Sequence, residues 1–124
     1  MEVRGADLPA LFSNAGWAFM DILVDAATIR VDREQAIVVE APDLEALLAA
    51  WLGELLYWFD ARGQVFGRFE IRELTAERLA VRAWGETFDP DRHGFKQGVK
   101  AVTYHQLRIR RTAKGWRARV ILDI

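Results

Sequence analysis

The chain has 124 residues and a mass of 14.2 kDa, with 17 Lys+Arg against 18 Asp+Glu and a formal net charge of −1. One domain over residues 1–124 suits that size, and 52% hydrophobic residues with 5 Trp and 7 Phe exclude intrinsic disorder. The even balance of charge speaks against holding nucleic acid by bulk charge alone, and the absence of cysteine excludes disulfide scaffolds, thiol catalysis and Cys-ligated zinc.

Met1 to Asp7 contain no basic stretch followed by an apolar run, so they do not read as a secretory signal. The most hydrophobic segment, Leu44 to Phe59, is interrupted by Glu45 and Glu54 and falls short of the roughly 20 apolar residues of a spanning helix. A soluble cytoplasmic protein without membrane association is the expectation.

Met1-Glu2-Val3 reads as the tail of a strand. A helix follows from Leu8 to Val24, with Asp7 as N-cap and Pro9 in the first turn, where its missing N–H costs nothing. Leu8, Leu11, Phe12, Ala15, Ala18, Phe19 and Ile22 form its apolar stripe. Thr28 to Val31 and Ala36 to Glu40 read as an extended arm. A second helix starts at the cap-like Asp43 and stops at Gly63, burying Leu44, Leu47, Leu48, Trp51, Leu52, Leu55, Trp58 and Phe59.

Val65 to Glu73 and Arg78 to Gly85 form a hairpin around Thr75-Ala76-Glu77, and Val99 to Arg111 with Trp116 to Ile124 form another, turning at Thr112 to Gly115. Between them lies a polar loop, Glu86 to Gly98, near the ~12-residue length beyond which loops are usually functional. The fold class is α+β: two amphipathic helices on one face of a mainly antiparallel sheet.

A turn centred between Ala113 and Lys114 pairs Leu107 with Val120 and Ile109 with Ala118 on the helix-facing side. Arg108 then lies beside Arg119, and Arg110 beside Arg117, on the outward side. Like charges directly opposite are destabilising, so these arginines need either an acidic neighbour, such as Glu70 or Glu73, or an external anion such as RNA phosphate or an acidic protein. The same register sets Tyr104 opposite Asp123, with Lys100 further along that face. Asp123 and the terminal carboxylate of Ile124 are hard oxygen donors suited to Ca²⁺ or Mg²⁺, but two are too few for the 6–8 oxygens Ca²⁺ takes. A frayed polar terminus is the competing reading.

His93 and His105 admit a metal or acid–base reading with Glu86 and Asp89, although no metalloprotease-like spacing supports it. By strand parity His105 points toward the helices as a hydrogen-bonded core residue, while His93 either is exposed and functional or braces its loop. Ser13, the only serine, lies within the first helix, outside any nucleophile-elbow context.

The residues Gly85-Glu86, Asp89 and His93, followed by Val99-Lys100-Ala101-Val102-Thr103-Tyr104-His105, resemble the archease family. The first helix is similar at Phe12, Ala15, Met20 and Asp21, and the second at Leu48, Trp51, Leu52, Glu54, Leu55, Leu56, Tyr57 and Phe59; the final Asp123-Ile124 also agrees. The resemblance covers essentially the whole chain. It implies a non-enzymatic, metal-binding accessory protein of RtcB, the RNA ligase of tRNA splicing and RNA repair, promoting guanylylation of the ligase's histidine and multiple turnover. It further implies calcium (or Mg²⁺ or Mn²⁺) at Asp123 and Ile124, a ligase-activating role for Lys100 and Asp123, and supporting roles for Tyr104, His93 and Glu86.

Family members usually carry an upstream H-T-A-D segment whose Asp is a further acidic ligand, and no residues here match it. Weaker metal binding and self-association through an uncovered N-terminal sheet edge are the corresponding expectations. Two other function classes stand beside this one. The first is an RNA- or tRNA-binding module using Arg108, Arg110, Arg117 and Arg119, acting on a tRNA-processing or tRNA-modifying enzyme. The second is metal-dependent hydrolysis at Glu86, Asp89, His93 and His105.

Overall fold

Two aspartates set where the long helices begin. In the computed structural model, which describes Met1 to Ile124, Asp7 Oδ1 accepts from the Ala10 amide and Asp43 Oδ1 from the Ala46 amide, each at 2.8 Å. These side chains satisfy backbone donors that a helix start leaves unpaired. Helix α1 spans Leu8–Leu23 and α2 spans Leu44–Arg62. Gly63 ends α2 at φ 60, a left-handed conformation glycine adopts without strain, and its amide returns to the Phe59 carbonyl at 3.1 Å. Neither helix is long and apolar enough to cross a membrane.

Strand β1 (Glu2–Gly5) precedes α1; β2 (Arg33–Glu40) lies between the helices; β3 (Gln64–Leu74) and β4 (Arg78–Thr87) follow α2. A short α3 (Pro90–His93) interrupts the polar loop before β5 (Ala101–Thr112) and β6 (Gly115–Asp123). The α+β class is as expected, and every strand pairing is antiparallel. The strands divide into two three-stranded sheets, ordered β1-β6-β5 and β2-β4-β3, where a single sheet was anticipated. Thr28, expected in a strand, closes a 3₁₀ turn over Ala26–Thr28, because Asp25 accepts from the Ala27 amide and Asp21 from the Ala26 amide.

The core lies between the helices and the inner faces of both sheets. Leu11, Phe12, Ala15 and Phe19 of α1 are fully buried, as are Leu47, Leu48, Trp51, Leu52 and Leu55 of α2. Val3, Leu107, Ala118 and Val120 close it from one sheet, and Ile37, Val39, Leu79, Val81 and Ala83 from the other. Trp51 joins the helices: its indole N–H donates to the Phe12 carbonyl at 2.9 Å, and its ring meets Phe69 edge-on at 5.3 Å. Burying an indole with its N–H satisfied adds hydrophobic contact without an orphaned donor.

Gly85 marks a close backbone approach, since a Cβ there would strike the Val65 carbonyl and the Phe66 backbone of β3. Gly53, within α2, faces open space. Gly85→Ala is therefore expected to cost at least about 1–3 kcal/mol through overpacking. Gly53→Ala is expected to gain about 1 kcal/mol through helix propensity. Thermal melts of the two variants, moving in opposite directions from the parent, check this.

Candidate functional site

Strand β6 sits at the centre of its sheet, so its alternation decides which side chains face outward. Ala118 and Val120 are buried, which leaves Arg117, Arg119 and Asp123 on the solvent side. The register next to the turn is the one the sequence indicates: Arg108 opposes Arg119, Ile109 opposes Ala118, and Arg110 opposes Arg117. Beyond Arg108 the register shifts, and Ala101 rather than Tyr104 lies opposite Asp123. Extra residues are taken up between Thr103 and Arg108, where Gln106 adopts φ 56, so strict period-2 counting fails across this stretch.

The shift separates Tyr104 from Asp123. Its hydroxyl instead donates to Asp43, the N-cap of α2, at 3.2 Å from Oδ2. Partial desolvation and then the Asp43 carboxylate push the phenol above its ordinary value. His105, expected to face the helices, is exposed for the same reason, since the irregular segment turns it away from the core.

The same shift takes Lys100 out of the outward row of Asp123 expected from the sequence, since Ala101 now shares that row, and the two residues meet through the backbone. The Lys100 amide donates to the Asp123 carbonyl at 2.7 Å, so Lys100 and its neighbour Ala101 both meet Asp123 across the end of the ribbon. Lys100, Asp123 and Ile124 are exposed. The Lys100 and Asp123 side chains make no hydrogen bond or ion pair within the chain. The Lys100 ammonium and the Asp123 carboxylate are therefore each left accessible near this end of the ribbon.

The polar loop is organised by Glu86. Its carboxylate accepts from the Arg30 amide at 2.6 Å, from Arg92 Nη1 at 2.8 Å and Nη2, and from His93 Nε2 at 2.9 Å. His93 Nδ1 accepts from the Asp89 amide at 2.8 Å, which leaves Nε2 to carry the proton it donates to Glu86. His93 is 1% exposed and stacks on Phe88, so it braces the loop. The loop is also tied to the end of α1: the Lys96 amide donates to the Leu23 carbonyl at 2.8 Å, and Lys96 Nζ meets Asp21.

The hydrolytic set does not form. Glu86 is committed to Arg92 and His93, Asp89 caps α3, and His105 stands on β5. No three His, Cys, Asp or Glu side chains gather anywhere in the chain in a way that fits a metal ion. A calcium ion at Asp123 and Ile124 therefore needs most of its oxygens from outside these side chains. Arg30 and Arg92 had no signal in the sequence, and Asp43 was legible as a helix cap but not as the partner of Tyr104, because these contacts come from tertiary packing.

A family model described as the archease protein family matches residues 1–124. The chain belongs to the archease family. It is 37% identical over 124 residues to the protein archease of Methanosarcina mazei, covering 97% of this chain and 85% of the relative. It is 40% identical to the protein archease of Pyrococcus furiosus, with coverage of 97% and 87%. The solution structure of Methanobacterium thermoautotrophicum protein 1598 superposes with a TM-score of 0.81 at 29% identity, covering 99% of this chain and 89% of that one. A Thermotoga maritima structure described as an archease and possible chaperone shares the fold at a TM-score of 0.67 and 18% identity, covering 100% and 88%.

The hydrogen bonds from Arg92 hold Glu86 at about 2, well below the ordinary 4.5, against a smaller opposing effect of burial. A depressed carboxylate stabilises the fold fully above pH about 4.5 and loses that contribution as pH falls toward about 2. Glu86→Gln is expected to cost about 1.5–3 kcal/mol at neutral pH, the usual scale for hydrogen bonds to a charged group. The gap in melting temperature between variant and parent should narrow as pH falls from 5 to 2. A gap that stays constant across that range would refute the assignment.

Proposed function

We propose that this archease-family chain is a non-enzymatic accessory protein that activates an RtcB-type RNA ligase, promoting guanylylation of the ligase during tRNA splicing and RNA repair. Membership of the family supports an accessory role, and the description of the Thermotoga maritima relative as a possible chaperone agrees with it. The observation that carries the reading is the Lys100–Asp123 backbone hydrogen bond at 2.7 Å. It supports the reading by joining the backbones of two exposed residues that the family resemblance implicates, at one end of the β5-β6 ribbon.

Guanylylation is a nucleotidyl transfer in which negative charge spreads over phosphate oxygens, so positioned cations accelerate it. The Lys100 ammonium, free of any partner in its own chain, is suited to contact such oxygens or an acidic group beside them. The Asp123 carboxylate is suited to orient a cationic group or a hydrated divalent ion of the ligase. No step here requires a resident metal on this chain. The Glu86 knot and the Tyr104–Asp43 bond act at a distance, holding the loop and the irregular part of β5 that lead into this end.

A guanylylation assay with purified RtcB-type ligase and GTP tests the proposal. The parent chain is expected to raise the rate at limiting ligase. Lys100→Ala and Asp123→Ala are each expected to lose at least about tenfold of the stimulation, roughly one charge-assisted contact, with unchanged melting temperatures. Absence of stimulation by the parent, or full stimulation by both variants, would sink it.

A further inference from the structure

The two sheets treat their outward charges in opposite ways. On β2-β4-β3, Arg82 pairs with Glu34 at 2.8 Å, Arg78 with Glu73 at 3.1 Å and Arg72 with Glu70 at 3.0 Å, while Arg68 covers Trp84 at 4.8 Å. Glu70 and Glu73, the acids the sequence offers as neighbours for the last hairpin, are therefore occupied on the other sheet. On β1-β6-β5 no arginine has an acidic partner within ion-pair distance.

Strand β1 enlarges that unpaired set. Val3 is buried, so Glu2 and Arg4 face outward, and the register sets Arg4 beside Arg117 and Glu2 beside Arg119. One cross-strand row is then Arg4–Arg117–Arg110, and the next is Glu2–Arg119–Arg108. Neighbouring strands lie about 4.8 Å apart and successive outward residues about 6.8 Å apart. Five arginines and one glutamate thus rise from a stretch of backbone only about 10 Å wide, the Arg108 side chain also bordering Asp43 and Glu45 beside Tyr104. Gln106, Arg108, Arg110, Arg117 and Arg119 line a shallow depression on it.

Opposed like charges cost stability, and this chain has enough acidic residues elsewhere to have neutralised them. We infer that the outer face of the β1-β6-β5 sheet binds the phosphodiester backbone of a nucleic-acid strand. The composition distinguishes this ligand from an acidic protein. The cationic side chains in both rows are all arginine, whose planar fork matches phosphate oxygens in pairs. No large exposed apolar side chain lies within the rows to supply the buried anchor a protein interface needs. The inference stands independently of the ligase reading, since it uses neither Lys100 nor Asp123.

Fluorescence anisotropy with a labelled, unstructured 20-nucleotide RNA, and with DNA of the same sequence, tests it. Micromolar binding is expected at about 50 mM salt, weakening as salt rises with a log–log slope near −3, from about 0.7 per phosphate neutralised on a single strand. The ratio of RNA to DNA affinity reports the share of the sugar, the phosphate chain being common to both. Arg117→Glu with Arg119→Glu should weaken binding at least about tenfold and flatten the slope by about 1.4. The same double variant should melt no lower than the parent, because Arg117→Glu turns its two like-charge neighbours, Arg4 and Arg110, into opposite ones, while Arg119→Glu gains against Arg108 what it loses against Glu2. Arg72→Glu, on the other sheet, should leave binding unchanged. The inference fails if the parent does not bind at low salt, if the β6 double variant binds as the parent does, or if a polyglutamate peptide competes as well as RNA. The last result would reassign the face to an acidic protein.

Discussion

Burial of Ala118 and Val120 beneath the helices is the constraint from which the exposed chemistry follows. A central strand with one face in the core has no freedom of register, since a slip of one residue would bury Arg117 and Arg119 and expose the apolar set. Val3 on one side of β6 and Leu107 on the other obey the same rule. Electrostatic repulsion between opposed arginines is a fraction of a kcal/mol per pair, whereas burying an apolar side chain is worth about 1.5–3 kcal/mol. Hydrophobic packing therefore dictates the arrangement, and the charges accept the positions it leaves them.

The irregular part of β5 shows where this constraint relaxes. Between Thr103 and Arg108 the ladder shifts, Gln106 takes a left-handed conformation, and Tyr104 leaves the ribbon for the capping aspartate of α2. Tyr104 thereby links the start of a core helix to the strand that leads back to Lys100. Glu86 gathers the Arg30 amide, Arg92 and His93 around one carboxylate and fixes a loop whose Phe88 and Phe95 pack on Phe59 of α2. A low-dielectric carboxylate saturated by donors stays ionised and rigid. The loop is thus structural support for the ribbon's far end, with its histidine facing inward.

Much of the architecture was legible because it rests on short-range rules. The caps at Asp7 and Asp43, the stop at Gly63, the apolar stripes of both helices and the turn-proximal pairing of Arg108 with Arg119 all follow from local propensity and periodicity. The failures have specific causes. Thr28 was captured by side-chain acceptors from Asp21 and Asp25, which offer a tight turn in competition with strand. Tyr104 and His105 were misplaced because a register shift cannot be counted from alternation. Arg4 joined the arginine rows only through the pairing of β1 with β6, strands separated by nearly the whole chain.

By itself the sequence determined the helices, the hairpins, the family likeness and the outward side of the last turn, each a matter of residues within a few positions of one another. Only the tertiary structure decided how the strands divide between two sheets, which acids neutralise which arginines, and that His93 is enclosed while His105 is not. Those outcomes depend on contacts between distant segments, chosen by burial of the whole core at once, and no local pattern of residues encodes them.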